Sequence, residues 1–187
     1  MADKSKERFI TMGELLLRLA PPNYEKIRMA NQFNVTYGGA EANVAVSLSN
    51  LGIDSSYFTV VPDSSIGKAS IRYLRANDVH CSPCIRAKKG RMGLYYLEEG
   101  FGVRASKVTY DRANSAFATY DFSTIDFKEK LKGYTWLHMS GITPALSQNC
   151  RDLTMIALKT AKELGMTVSF DCNFRSALWG FQEARNC

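Results

Sequence analysis

Two short stretches of this chain carry the residue types that could hold and orient a polar, acidic ligand. The first is Tyr37-Gly38-Gly39-Ala40-Glu41-Ala42-Asn43-Val44-Ala45, where two glycines end an extended run and a helix begins. Glycine lets a main chain or a ligand approach closely. The free N–H groups of a helix start suit an anion or a polar group, and Asn43, about one turn in, adds a side-chain donor and acceptor. The second is Asp171-Cys172-Asn173-Phe174-Arg175, which follows an apolar run ending at Phe170. Arg175 offers a planar fork of donors that matches a carboxylate or a phosphate. Between them lie Tyr95, Tyr110 and Arg112, two aromatics and a cation in strand-like segments. Plain structural readings stand beside each of these. The glycines suit any tight turn, Asp171 could pair with a neighbouring arginine, and an aromatic beside a strand arginine is a common cross-strand pair.

The elements around these residues alternate between two kinds. Phe9 to Met12 reads as a strand, and Leu15 to Leu19 continues extended until Pro21-Pro22. Phe33, Val35 and Tyr37 alternate with Asn34 and Thr36 at period 2. A helix follows over Glu41–Leu51, with Val44, Ala45, Leu48 and Leu51 on its apolar side and Gly52 as its stop. Tyr57 to Val61 reads as a single buried strand, and a helix is predicted around Gly67–Ala76. Gly93–Glu98 and Val103–Tyr110 flank a glycine-containing turn and read as a hairpin. Ala113–Tyr120 is a short helix or a turn. Trp136–Met139, a helix over Asn149–Leu164 with Leu153, Ile156, Ala157 and Leu164 inward, and Met166–Asp171 form a β–α–β unit. Such a unit implies parallel strands and a right-handed crossover. The strands at about 14–19, 32–37, 93–98 and 103–110 do not alternate with helices, so they are expected to form a separate small sheet.

Composition narrows the classes. Hydrophobic residues make up 45% and charged residues 22% of the 187, enough for one sizeable core. The net charge of +6, from 24 basic and 18 acidic residues, is spread along the chain rather than gathered in a block with aromatics. That argues against a nucleic-acid surface and fits a mild attraction for anionic small molecules. No apolar run is long enough for a membrane span, and the charged start Met1–Arg8 lacks the apolar stretch of a signal peptide. A cytoplasmic protein with no membrane partner is expected. Five scattered cysteines, including Cys81-Ser82-Pro83-Cys84, read as reduced thiols; no second pair with ligand spacing follows, so no metal site is assigned.

The order of motifs resembles the ribokinase-like (PfkB) carbohydrate kinases, from about Phe9 to Arg185. Carrying that likeness are the glycine-pair run, Gly90-Arg91-Met92-Gly93-Leu94-Tyr95-Tyr96-Leu97-Glu98, Thr109-Tyr110-Asp111-Arg112, Ser140-Gly141-Ile142-Thr143-Pro144-Ala145-Leu146-Ser147 and Asp171-Cys172-Asn173-Phe174-Arg175. Among those kinases the chain is most similar to the 2-keto-3-deoxygluconate kinases. The resemblance implies an α/β fold, a three-layer α/β/α core, present in part, with a small β-sheet lid. It implies ATP and Mg²⁺, phosphorylation of the 6-hydroxyl of the sugar acid, and a homodimer through the lid. By the same resemblance Gly38, Gly39, Asn43, Tyr95, Tyr110, Arg112, Gly141, Ile142 and Arg175 would contact the sugar, and Asn173 would lie near the phosphate and metal. Glu14 and Arg18, at the lid's root, are left as structural. The family's Gly-Ala-Gly-Asp run, source of the catalytic Asp, is absent from residues 1–187, as is a P-loop. The resemblance therefore covers a substrate-binding half, with the catalytic Asp and nucleotide-binding half expected beyond Cys187. The alternatives are a fructokinase- or ribokinase-type enzyme, or a non-catalytic, truncated sugar-acid binder.

Overall fold

The apolar run Ile10 and Met12 alternates with Thr11, and both faces of this strand are buried, as the centre of a parallel sheet requires. The computed structural model describes residues 7–186; Met1–Lys6 and Cys187 lie outside the described residues. β1 (Arg8–Met12) pairs in parallel with β4 (Asp54–Phe58) and with β9 (Trp136–Ser140). β10 (Thr167–Asp171) adds in parallel beyond β9, giving the order β10-β9-β1-β4.

One face of this sheet packs Ile10, Met12, Phe58, Leu137 and Met139 against Phe127 and Leu131 of α3 (Phe127–Leu131) and against Leu153 and Ala157 of α5 (Gln148–Glu163). Tyr57, on the other face, packs with Ala42 and Ala45 of α1 (Ala40–Asn50) and with Ile71 and Leu74 of α2 (Ser65–Ala76). The result is an α/β arrangement with helices on both faces of a parallel sheet, as expected. The helices start on side-chain caps where the sequence offers them: Ser64 accepts from the Gly67 N–H, Asp126 from Lys128 and Glu129, and Ser147 from Cys150. Gly52 and Gly165 end α1 and α5 in the left-handed region, with φ of 76° and 70°.

The second sheet has the order β3-β2-β7-β8. β2 (Leu16–Ala20) runs antiparallel to β3 (Asn34–Gly38) and parallel to β7 (Leu94–Glu98). β7 and β8 (Lys107–Asp111) form the expected hairpin, with Tyr95 opposite Tyr110. β8 starts later than its apolar residues suggest, because Val103 lies fully exposed in the turn.

Three expectations about elements need correction. Tyr57–Val61 is two strands: after Thr59 the chain leaves the main sheet, and β5 (Val60–Pro62) pairs with β6 (Ile85–Ala87). The run looks continuous in sequence because both pieces are buried. The inner face of α1 is Glu41, Ala42 and Ala45, whereas Leu51 is 76% exposed. On α5 the inner residues are Cys150, Leu153, Thr154, Ala157, Thr160 and Ala161, with Ile156 and Leu164 outside. Small side chains at these positions let the helices approach the sheet closely. Short helices α4 (Ile142–Ala145) and α6 (Phe181–Asn186) complete the chain. Among the described residues no helix is long and apolar enough to cross a membrane.

Candidate functional site

Ligands of open parallel sheets lie beyond the carboxyl ends of the strands, where successive connections leave in opposite directions. Here that crevice lies between β1 and β9. From β1 the chain crosses to β4 on one side, and β9 and β10 lie on the other. Three segments meet there: Glu14 after β1, the start of α1, and Ile142 after β9. The β3-β2-β7-β8 sheet closes over them. The cleft enclosed has a volume of about 330 Å³ and is lined by Gly38, Gly39, Asn43, Tyr95, Tyr110, Arg112, Ile142 and Arg175, together with Glu14 and Glu41. The period of 2 in a strand accounts for the lid's share: Tyr95 and Leu97, Val108 and Tyr110, and Leu16 and Gly38 fall on one face.

Two residues singled out in the sequence lie elsewhere. Gly141 borders a neighbouring apolar cavity of about 480 Å³, shared with Pro144, Phe170 and Trp179. A Cβ on Gly141 would stand 2.3 Å from the Cys172 carbonyl oxygen, so its glycine serves the contact between the loops after β9 and β10. Asn173 is not among the cleft-lining residues. It takes a left-handed conformation, φ 39°, with its N–H donating to Asp171 Oδ1 at 2.9 Å. Asp171 has no cationic partner within 4.0 Å among the described residues, so the salt bridge weighed for it is not seen.

The glycine pair works through space rather than backbone angle. Gly39 has φ −178° and ψ 150°, extended values open to any residue. A Cβ there would stand 2.4 Å from the Glu14 carbonyl oxygen, and one on Gly38 would stand 3.3 Å from the Tyr95 hydroxyl. Gly39 is the N-cap of α1 and supplies no side-chain cap to the first turn of that helix, which borders the cleft.

Arg112 is only 11% exposed, and Nε donates to Glu14 Oε2 at 2.8 Å, with Nη2 bonded to the same oxygen. Its guanidinium also lies over the Tyr110 ring, 5.6 Å from the centroid. Glu14 is 3% exposed, and its Oε1 is buried against Gly93, where a Cβ would come within 2.6 Å. Glu14 is thus a wall of the cleft and the partner of its buried cation, a role beyond the structural one expected of it. Arg175 differs: it is exposed, with one bond to the Phe174 carbonyl and no acidic partner among the described residues. The Tyr95 and Tyr110 rings stand 5.8 Å apart, and burial pushes the Tyr95 phenol up from its ordinary pKa.

Glu41 was not singled out by sequence. It is 1% exposed, and its Oε1 accepts from Ser140 Oγ at 2.7 Å, Thr143 Oγ1 at 3.1 Å and the Ser140 N–H at 3.2 Å. Burial raises its pKa above the usual carboxyl value; the bonds from Ser140 and Thr143 and the charge of Arg112 pull it partly back. The one usable signal was a charged residue on the helix face occupied by Ala42 and Ala45. A raised folded pKa makes the contribution of Glu41 complete below about 4.5, where both states are protonated, and smaller as pH rises and the unfolded chain ionises first. Glu41→Gln does not titrate. Its stability relative to the wild type is therefore expected to improve from about pH 5 to about pH 8 in urea unfolding. A gap independent of pH would mean that Glu41 ionises normally in the fold.

This chain belongs to the pfkB family of carbohydrate kinases, whose pattern matches residues 6–186. It is 39% identical over 180 residues to the 2-dehydro-3-deoxygalactonokinase of Haloferax volcanii, covering 95% of this chain and 55% of that protein. It is 29% identical to the 2-dehydro-3-deoxygluconokinase of Bacillus subtilis, covering 91% and 52%. The crystal structure of the 2-dehydro-3-deoxygluconokinase of Thermotoga maritima superposes with a TM-score of 0.93 at 42% identity, covering 96% of this chain and 55% of that one. The chain spans about half the length of the relatives it matches.

Proposed function

We propose that this chain forms the acceptor-sugar side of a kinase for 2-keto-3-deoxygluconate or its galacto epimer. The observation that supports this reading is the convergence of Arg112, Arg175, Tyr95 and Tyr110 on one cleft opposite the Gly38-Gly39 turn. Glu14 already neutralises Arg112, so the support for an acidic ligand is the charge of Arg175 at the cleft, unpaired among the described residues. Arg175 carries the free positive charge for the carboxylate. Nη1 of Arg112, which has no partner among the described residues, is a further donor. Tyr95 and Tyr110 would cover the sugar, and Gly38, Gly39, Asn43 and Ile142 would border it. The 6-hydroxyl oxygen would bond to the γ-phosphorus of ATP as the bond to the β-bridging oxygen breaks, giving the 6-phospho acid and ADP, with the hydroxyl proton passed to a base.

ATP supplies the phosphoryl group. Among the described residues no group of three or more His, Cys, Asp or Glu is placed to hold a cation, so no residue here is assigned to Mg²⁺. The nucleotide-binding half and the catalytic Asp are assigned to sequence outside these residues. Exposed Val35, Phe101 and Val103 on the lid support the expected second copy of the chain at this sheet.

The test is calorimetric titration of residues 1–187 with 2-keto-3-deoxygluconate and with fructose. The acid is expected to bind at least about tenfold more tightly, a difference of about 1.4 kcal/mol. Arg175→Leu is expected to cost the acid about 2 kcal/mol, the low end for a truncated charge pair because Arg175 starts exposed, and to leave fructose nearly unaffected. Equal affinities for the two sugars, or equal losses on substitution, would overturn the acid assignment and favour a fructokinase-type site.

A further inference from the structure

We propose that Glu41 is a positioning residue: its carboxyl fastens the β9–α4 turn to the start of α1, so that two walls of the cleft hold a fixed separation. The inference rests on the acceptor-sugar reading above. Gly39 and Asn43 lie on one wall and Ile142 on the other. Glu41 Oε1 gathers three donors from Ser140 and Thr143, both fully buried. The chain of bonds continues, because Ser140 Oγ accepts from the Ile142 N–H at 3.3 Å. On the helix side, the Glu41 carbonyl accepts from Thr11 Oγ1 of β1 at 2.9 Å. The second carboxyl oxygen packs over Gly13, where a Cβ would stand 2.1 Å from it. Glu41 is therefore tied to β1, β9 and α4 at once, over the crevice between β1 and β9.

Stability alone is a poor reason for such a group. A buried carboxyl loses its hydration, and an apolar residue of similar size often serves folding as well or better. Directional bonds do what apolar contact does not: they fix distance and orientation, and displacements on the scale of 1 Å matter at a reacting centre. The same tie links two stretches far apart in sequence, the glycine-pair run and the Ser-Gly-Ile-Thr run, through a Glu in the first and a Ser and Thr in the second.

The test uses the 187-residue chain and three variants: Glu41→Leu, Glu41→Gln and Thr143→Val. Backbone amide hydrogen exchange is read at Ser140 and Ile142, with Leu137 as the core reference. Affinities for 2-keto-3-deoxygluconate and for fructose are measured in parallel. In Glu41→Leu the two amides are expected to exchange at least about tenfold faster than in the wild type while Leu137 does not. Both sugars are expected to lose affinity by the same factor, about tenfold, since a moved wall affects any sugar. Glu41→Gln, which keeps the accepting oxygen, is expected to restore most of both effects. Thr143→Val leaves Glu41 in place and carries the same comparison should the Leu variant not fold. A lowered melting point with unchanged exchange at the two amides and unchanged affinities would reduce Glu41 to a structural role. A loss confined to the acid would make it a direct charge contact. If the wild type binds neither sugar, the acceptor-sugar reading fails, and the exchange measurement still decides whether the tie exists.

Discussion

Glu14→Ala is expected to remove about 3–5 kcal/mol of folding stability, far more than an ordinary surface ion pair would. Both partners are buried, Glu14 at 3% exposure and Arg112 at 11%, and Arg112 puts two donors on one carboxylate oxygen. Truncating the acid leaves a guanidinium away from water with no counter-charge, and the desolvation already incurred is no longer offset. Removing both ends together should be far milder. Glu14→Leu combined with Arg112→Met is expected to recover most of the loss, since apolar residues of similar size fill the space. Urea unfolding of the two singles and the double gives the coupling directly. Single variants within about 1 kcal/mol of the wild type would mean that the pair is solvated in solution. The pair also bears on ligand choice. Because Glu14 neutralises Arg112, the net positive charge offered to an acid comes from Arg175, and the acid preference should follow that residue.

Much of the architecture was legible in the sequence because each signal was local. Period-2 alternation marked β3, a Gly at the end of each pattern marked the stops of α1 and α5, and the β–α–β run from Trp136 to Asp171 fixed parallel strands. The separate lid sheet followed from strands without intervening helices. The failures were non-local. Whether Tyr57–Val61 is one strand or two depends on which neighbours it meets, and Ile85–Ala87 carries no signal of its own until Val60 is beside it. The inner faces of α1 and α5 are legible only in part. Ala45, Leu153 and Ala157 lie inward as expected, but size is a poor proxy for burial in a closely packed helix–sheet layer, where Ala42 and Ala161 also lie inward while Leu51, Ile156 and Leu164 lie outside.

The cleft divides in the same way. The glycine pair and Arg175 stand out by residue type, Tyr95, Tyr110 and Arg112 take their roles from the family resemblance, and all share one cleft. Glu14 and Glu41 do not stand out in either way. A carboxylate reads as surface in sequence, and only the fold shows that each lies against a glycine, Gly93 and Gly13, where a larger residue would not fit. Those two glycines are the trace the buried acids leave in the sequence. They are interpretable only once β1, α1 and β7 are brought together.

Residues 1–187 on their own are expected to phosphorylate 2-keto-3-deoxygluconate at no useful rate, even if the acid binds well. Deprotonating the 6-hydroxyl needs a free base at the cleft. Glu14 is held by Arg112, and Glu41 is bound by Ser140 and Thr143 with its pKa raised by burial. Asp171 is engaged with the Asn173 N–H and is not among the cleft-lining residues. A missing general base costs about 10²–10⁴ in rate, and if the donors to the developing phosphoryl charge also come from elsewhere, about a further 10²–10³. Together these would place turnover roughly 10⁴–10⁷ below the about 1–100 per second usual for kinases. The measurement is ADP release coupled to a dehydrogenase, with ATP, Mg²⁺ and the sugar acid. Turnover of about one per second would show that a carboxyl among the described residues does serve as base. Glu14→Gln, Glu41→Gln and Asp171→Asn would then identify it, because only the true base loses rate without losing sugar affinity. Should activity instead appear only when further polypeptide is supplied, the division of labour follows: these residues hold and orient the acid, and the base and the phosphoryl-charge donors come from elsewhere.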